Sequence, residues 1–63
     1  MRLTKKLIEH LDTYYFVLEL EVIWAIEDFY REKYWEKVFY SDLVYFQELA
    51  KKYIELRNLS FNN

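Results

Sequence analysis

The chain contains no glycine, no proline and no cysteine, and only one histidine, His10. Each absence removes a class of structure. Without Gly or Pro, tight two-residue β-hairpins and the punctuation of all-β folds lose their usual residues, whereas helices need neither. Without Gly there is no glycine-rich phosphate loop. Without Cys there is no disulfide and no thiolate zinc site. A single imidazole excludes a catalytic centre of several histidines within one chain. Amides are scarce, with asparagine confined to Asn58, Asn62 and Asn63. Together with abundant Glu, Lys and Tyr, this composition fits a heat-adapted protein.

Long apolar runs are missing too. The most apolar window, Tyr14 to Ile26, carries Glu19 and Glu21 and is well short of the about 20 apolar residues a membrane span requires. The basic start, Arg2, Lys5 and Lys6, leads into a mixed segment rather than an apolar core with a small-residue cleavage site, so no signal peptide is read. The expectation is a cytoplasmic protein with no membrane contact.

What is present is apolar surface in excess. Hydrophobic residues make up 54% of 63 positions and aromatics 22%. One domain this small buries a limited core, and it often needs a disulfide, a metal or a partner chain. With the first two excluded by composition, partnership is the expectation.

The stretch "VLELEVIW", Val17 to Trp24, alternates like a strand. Its surroundings do not. Ile8, Leu11, Tyr15, Leu18, Val22, Ala25 and Phe29 fall on steps of three and four, a helical seam over more than twenty residues. A second stripe, Phe16, Leu20, Ile23 with Trp24, Tyr30 and Tyr34, lies well round the same helix. Two superposed stripes account for the local alternation, and a helix apolar on two sides is flanked on two sides. In the second half, Leu43, Phe46, Leu49, Ala50, Tyr53, Ile54 and Leu56 share a face opposite Asp42, Gln47, Glu48, Lys51, Lys52, Glu55 and Asn58. Thr4 reads as the first N-cap, and the second helix frays near Asn58. The turn lies between Lys33 and Asp42. Ser41-Asp42 offers cap chemistry, while Trp35, Val38 and Phe39 keep helical spacing and allow a turn near Lys33 to Glu36 instead.

The pattern therefore predicts an all-α, single-domain antiparallel hairpin over residues 1–63, dimerising into a four-helix bundle. Leu11, Tyr15, Leu18, Val22, Ala25, Phe29, Phe46, Leu49 and Tyr53 are the expected core and dimer interface. Phe16, Leu20 and Trp24 are a candidate partner surface.

Catalytic chemistry finds little footing. Glu19 and Glu21 lie roughly 200° apart round a helix and share no site. Di-metal bundles use Glu-x-x-His units, but here Glu9 and His10 are adjacent. His10 reads as half-exposed beside the seam. Ser41 and Thr13 have no histidine nearby in sequence to activate them. No cofactor, metal or catalytic residue is expected.

Charge is unevenly spread. Arg2, Lys5 and Lys6 against Glu9 leave residues 1–11 at +2, whereas Asp12, Glu19, Glu21, Glu27 and Asp28 put residues 12–30 at −5. A hairpin would gather Arg2, Lys5, Lys6, Lys51, Lys52 and Arg57 at its open end, a possible phosphate contact. Lysines near a helix C-terminus also suit its dipole, and the acidic segment beside them disfavours nucleic acid.

The paired stripes "LIEHLDTYYFVLELEVIWAIEDF" and "LVYFQELAKKYIEL", with the chain length and composition, resemble the small helical-hairpin proteins of Sulfolobus spindle-shaped viruses (fuselloviruses). The resemblance implies a homodimeric antiparallel four-helix bundle acting as an adaptor in protein assemblies, in the host cytoplasm. It carries no functional motif. The Rop-type plasmid RNA-binding bundle has the same outline, but the net charge of −2 and the acidic first half argue against that activity. The expected function is a non-enzymatic adaptor that pairs with itself and with a protein partner. The alternative is a nucleic-acid-binding hairpin.

Overall fold

The computed structural model describes the backbone of residues 2–34 and 40–61, and the side chains of residues 2–31 and 43–61. All regular structure among them is helical: α1 (Lys5–Leu11), α2 (Glu19–Tyr34) and α3 (Tyr40–Arg57). The chain is all-α.

The continuous first helix expected from the seam is divided in two, because residues 12–18 leave the helix. Several local causes converge there. Thr13 to Val17 is a run of β-branched and aromatic residues, each a weaker helix former than Leu, Lys or Glu. The Thr13 hydroxyl donates to the His10 carbonyl at 2.7 Å, an oxygen that also accepts from the Thr13 amide at 3.2 Å. The α2 start is then built by Glu21, whose Oε1 accepts from the Val17 amide at 2.9 Å and the Leu18 amide at 2.7 Å. With Leu18 as the cap residue, Glu21 is the third helical residue reaching back, which is half of a capping box. "VLELEVIW" is thus helical from Glu19 onward, and Val17 and Leu18 precede the helix.

Other ends follow local chemistry. Thr4 caps α1 as its composition suggests, its hydroxyl oxygen accepting from the Leu7 amide at 3.2 Å. At the end of α3, Asn58 adopts φ 54°. The Leu59 amide donates to the Ile54 carbonyl at 2.9 Å and the Asn58 amide to the Glu55 carbonyl at 3.2 Å. That pair of bonds is a Schellman closure, and asparagine takes the left-handed position glycine usually fills. Of the segment expected to hold the turn, Lys33 to Asp42, residues 35–39 lie outside the described residues, Trp35, Val38 and Phe39 among them. Ser41 and Asp42 lie within α3, which already runs from Tyr40.

The core is one cluster: Leu7 and Leu11 from α1, Val22, Ala25 and Ile26 from α2, and Phe46, Leu49, Ala50 and Tyr53 from α3. In α2 and α3 these positions recur at three- and four-residue steps, the stripe of a helix with one buried face. Tyr30 late in α2 stacks on Phe46 early in α3, with centroids 5.7 Å apart. Phe16, just before α2, meets Tyr53 near the end of α3 at 6.3 Å. The two long helices therefore run antiparallel, and α1 packs against α2. Burying the fully enclosed Leu7 and Leu11 side chains contributes about 1.5–3 kcal/mol each. That packing is what holds a helix of 7 residues, which is too short to persist alone.

Candidate interaction surface

The connection between α1 and α2 is anchored from below. Asp12 caps the end of α1. Its carboxylate accepts from both Nε and Nη2 of Arg57, at 3.0 and 2.6 Å, and from the Tyr53 hydroxyl at 2.6 Å. The Arg57 hydrogen bonds, with the Tyr53 bond second, hold the Asp12 carboxyl below the usual carboxylate range. The same contact with Asp12 raises Arg57 further. Burial, reinforced by the bond to Asp12, raises the Tyr53 hydroxyl. The fork-to-fork geometry fixes direction as well as charge.

A chain of rings fastens the other side. The Nε2 hydrogen of His10 donates to the Ala25 carbonyl at 3.2 Å, since a carbonyl only accepts. The His10 ring meets Phe29 and Tyr14, each with centroids 5.2 Å apart. Tyr14 stacks on Phe16 at 5.4 Å, and Phe16 reaches Tyr53. His10 is half-buried, as its place beside the seam suggests, but it joins α1 to α2 rather than standing free.

Above this footing the apolar side chains point outward. Tyr15 is 92% exposed, Val17 61% and Trp24 53%; Tyr14, Leu18 and Leu20 are also exposed. The fold thereby sorts the candidate residues. Leu11, Val22, Ala25, Phe46, Leu49 and Tyr53 are buried in the chain's own core, and Phe29 is half-buried against it. Tyr15 and Leu18, expected on the same seam, lie outside the core because the helix is interrupted where they stand. Of the candidate partner surface, Phe16 is half-buried, while Leu20 and Trp24 are exposed. Leu56, read as part of the buried face of α3, is 53% exposed. Leu7 and Ile26 are fully buried although neither belongs to a stripe traced in the sequence. Their spacing from Leu11 and Val22, four residues in each case, is the signal that would have found them.

Two grooves open beside the connection. One, about 260 Å³, lies between Tyr15 to Leu18 and the tail residues Ser60 and Phe61. The other, about 190 Å³, lies between Tyr14, Tyr15 and Phe16 and the α2 flank of Glu21, Trp24 and Asp28. Among the described residues, no group of three His, Asp or Glu side chains is placed to hold a metal ion, and no helix is long and apolar enough to cross a membrane. No family model, no curated protein and no solved structure matches the chain.

Proposed function

We propose that the chain is a non-enzymatic adaptor that pairs with a second copy into a four-helix bundle and presents symmetric surfaces to a protein partner. The observation that carries this reading is the exposed apolar connection, Tyr14 to Leu18, continued by Leu20 and Trp24. Exposed apolar patches rimmed by charge mark contact sites on small proteins.

In this arrangement α2 and α3 of each copy supply the four long helices, with α1 flanking. Val17 and Leu18 line one side of the groove whose other side is Ser60 and Phe61, and as exposed side chains they form its outer ridge. A two-fold axis would set each ridge into the other copy's groove, the self-complementary contact of a symmetric dimer. Leu20 and Trp24 then remain for the partner. A viral, heat-adapted origin and a place in the host cytoplasm belong to the same proposal through the sequence resemblance. Nucleic-acid contact through the basic end is less well supported, because the Arg57 charge is already matched by Asp12.

Sedimentation equilibrium tests the reading. The expected mass is about twice the 8.0 kDa of one chain. A folded species of single-chain mass persisting at micromolar concentration would overturn it.

A further inference from the structure

The second groove shares Tyr15 and Phe16 with the first and adds Glu21, Trp24 and Asp28, which the proposed dimer contact does not use. It is lined by four aromatic residues, Tyr14, Tyr15, Phe16 and Trp24, and by two acidic ones, Glu21 and Asp28, with Ala25. Tyr14 and Phe16 stack on each other. Tyr15 and Trp24 make no ring contact with any described residue, so both keep their faces open. Glu21 commits Oε1 to the Val17 and Leu18 amides. Asp28 makes no hydrogen bond or ion pair with any described residue, although Glu27 beside it pairs with Arg31 at 2.8 Å.

Glu21, Trp24 and Asp28 follow steps of three and four on α2, so they stand in one row along its flank. Tyr15, on the connection, lines the same groove and is 92% exposed. Electron-rich ring faces and an unpaired carboxylate around one open cavity are the recognition chemistry of an organic cation. A planar guanidinium suits the site better than a compact ammonium. It stacks on aromatic faces, carries a weaker hydration shell and presents a fork of donors to a carboxylate. The surrounding segment, residues 12–30, holds five carboxylates and no cation; Asp12 and Glu27 are paired with Arg57 and Arg31, which leaves Glu19, Glu21 and Asp28 to attract a basic chain.

We infer that this groove is an arginine-binding cage: a basic segment of the protein partner seats a guanidinium between Trp24 and Tyr15, with Asp28 as its counter-charge. The inference rests on the reading of this face as a protein contact and names the chemistry of what it contacts.

The probe is a short fluorescein-labelled peptide carrying arginines between glycines. Its counterpart replaces arginine with citrulline, which has nearly the same shape and no charge. Binding is followed by anisotropy, and by NMR at the Trp24 indole N–H, at about 150 mM salt, where distant charges are screened. The arginine peptide is expected to bind and shift the indole signal, and the citrulline peptide to do neither. Trp24→Leu keeps an apolar side chain but removes the ring, and it should weaken binding by about 2- to 30-fold. Asp28→Asn should weaken it by a few-fold. Glu48→Gln, an equal charge change on the exposed face of α3, should leave it unchanged; circular dichroism confirms that each variant is folded. Equal binding of the citrulline peptide, or losses in Trp24→Leu and Asp28→Asn no larger than in Glu48→Gln, would overturn the cage, as would no binding at millimolar peptide. A dimer by sedimentation that ignores the arginine peptide removes this inference alone. A monomer that binds it at Trp24 removes the dimer and leaves the cage standing.

Discussion

Leu18 sits where a helix usually places Ser, Thr, Asp or Asn. Its neighbour three residues on, Glu21, already supplies the returning half of a capping box. Leu18→Ser completes the box, and two effects on the isolated chain then oppose each other. A serine cap is worth about 1 kcal/mol over an apolar residue. Leu18 is 46% exposed, so removing it forfeits roughly half of the about 1.5–3 kcal/mol that full burial of a leucine contributes. The sum is close to zero, and the monomer should stay as stable as before. In the proposed dimer the exposed half of each Leu18 is covered. Two copies then lose about 1.5–3 kcal/mol of association energy, roughly a 10- to 100-fold weaker dimer.

The assay is urea unfolding followed by circular dichroism at two protein concentrations, alongside sedimentation equilibrium. The parent midpoint should rise with concentration, because association stabilises the folded state by mass action. The Leu18→Ser midpoint should depend on concentration far less, while its helix content is kept. A variant that unfolds outright would show that Leu18 is core after all. A variant with unchanged association would remove Val17 and Leu18 from the contact.

Three further outcomes follow from the fold. Leu11→Ala should cost about 2–5 kcal/mol, against a total of about 3–9 kcal/mol for a domain of 63 residues; a urea midpoint near that of the parent would contradict the burial of α1. The Asp12 carboxyl is lowered from 3.8, so its contribution is complete above that pH and disappears as pH falls through the folded value. The Tyr53 hydroxyl is raised from 10.0, so its contribution is complete below that pH and is lost as pH rises through the folded value. Thermal melts across pH should show both limbs, and Asp12→Asn should flatten the acid one. Asn58→Gly relieves the left-handed strain of a residue with a Cβ and should add about 0.5–1 kcal/mol, read as a higher urea midpoint; a lower one would mean that the Asn58 side chain, not its φ, closes α3.

Local chemistry in the sequence reached the Thr4 cap, the buried face of α3 and the absence of strands among the described residues. It also traced Val22, Ala25 and Phe29 on one face of α2. It did not reach the interruption at residues 12–18, and the reason is distance. Asp12 is held by Tyr53 and Arg57, which are 41 and 45 positions away. A seam read from spacing cannot see such partners. Ile8 and Leu11 belong to one helix and Val22, Ala25 and Phe29 to another. Tyr15 and Leu18 happen to keep the phase between them and so make two helices look like one. The weak helix formers from Thr13 to Val17 and the returning Glu21 were the available local warnings.

The same interruption explains why the apolar excess appears where it does. In an unbroken helix Tyr15 and Leu18 would lie on the seam with Leu11 and Val22. The break instead lifts Tyr14, Tyr15, Val17 and Leu18 off the core while Phe16 stays packed against it, and Tyr14 and Tyr15 come to line a groove with the acidic flank of α2. The apolar side chains this places in water are costly for a chain with so small a core, so Leu18, an apolar residue at a cap, is the informative position. For the stability of the monomer alone, leucine and serine are about equal there, because the cap gained offsets the burial lost. Retaining leucine makes sense where an exposed side chain at that position is covered by something else. The Leu18→Ser experiment therefore tests the contact and also why the helix is broken: if the variant associates as tightly as the parent, the connection serves only to turn the chain, and its exposed aromatics need another account.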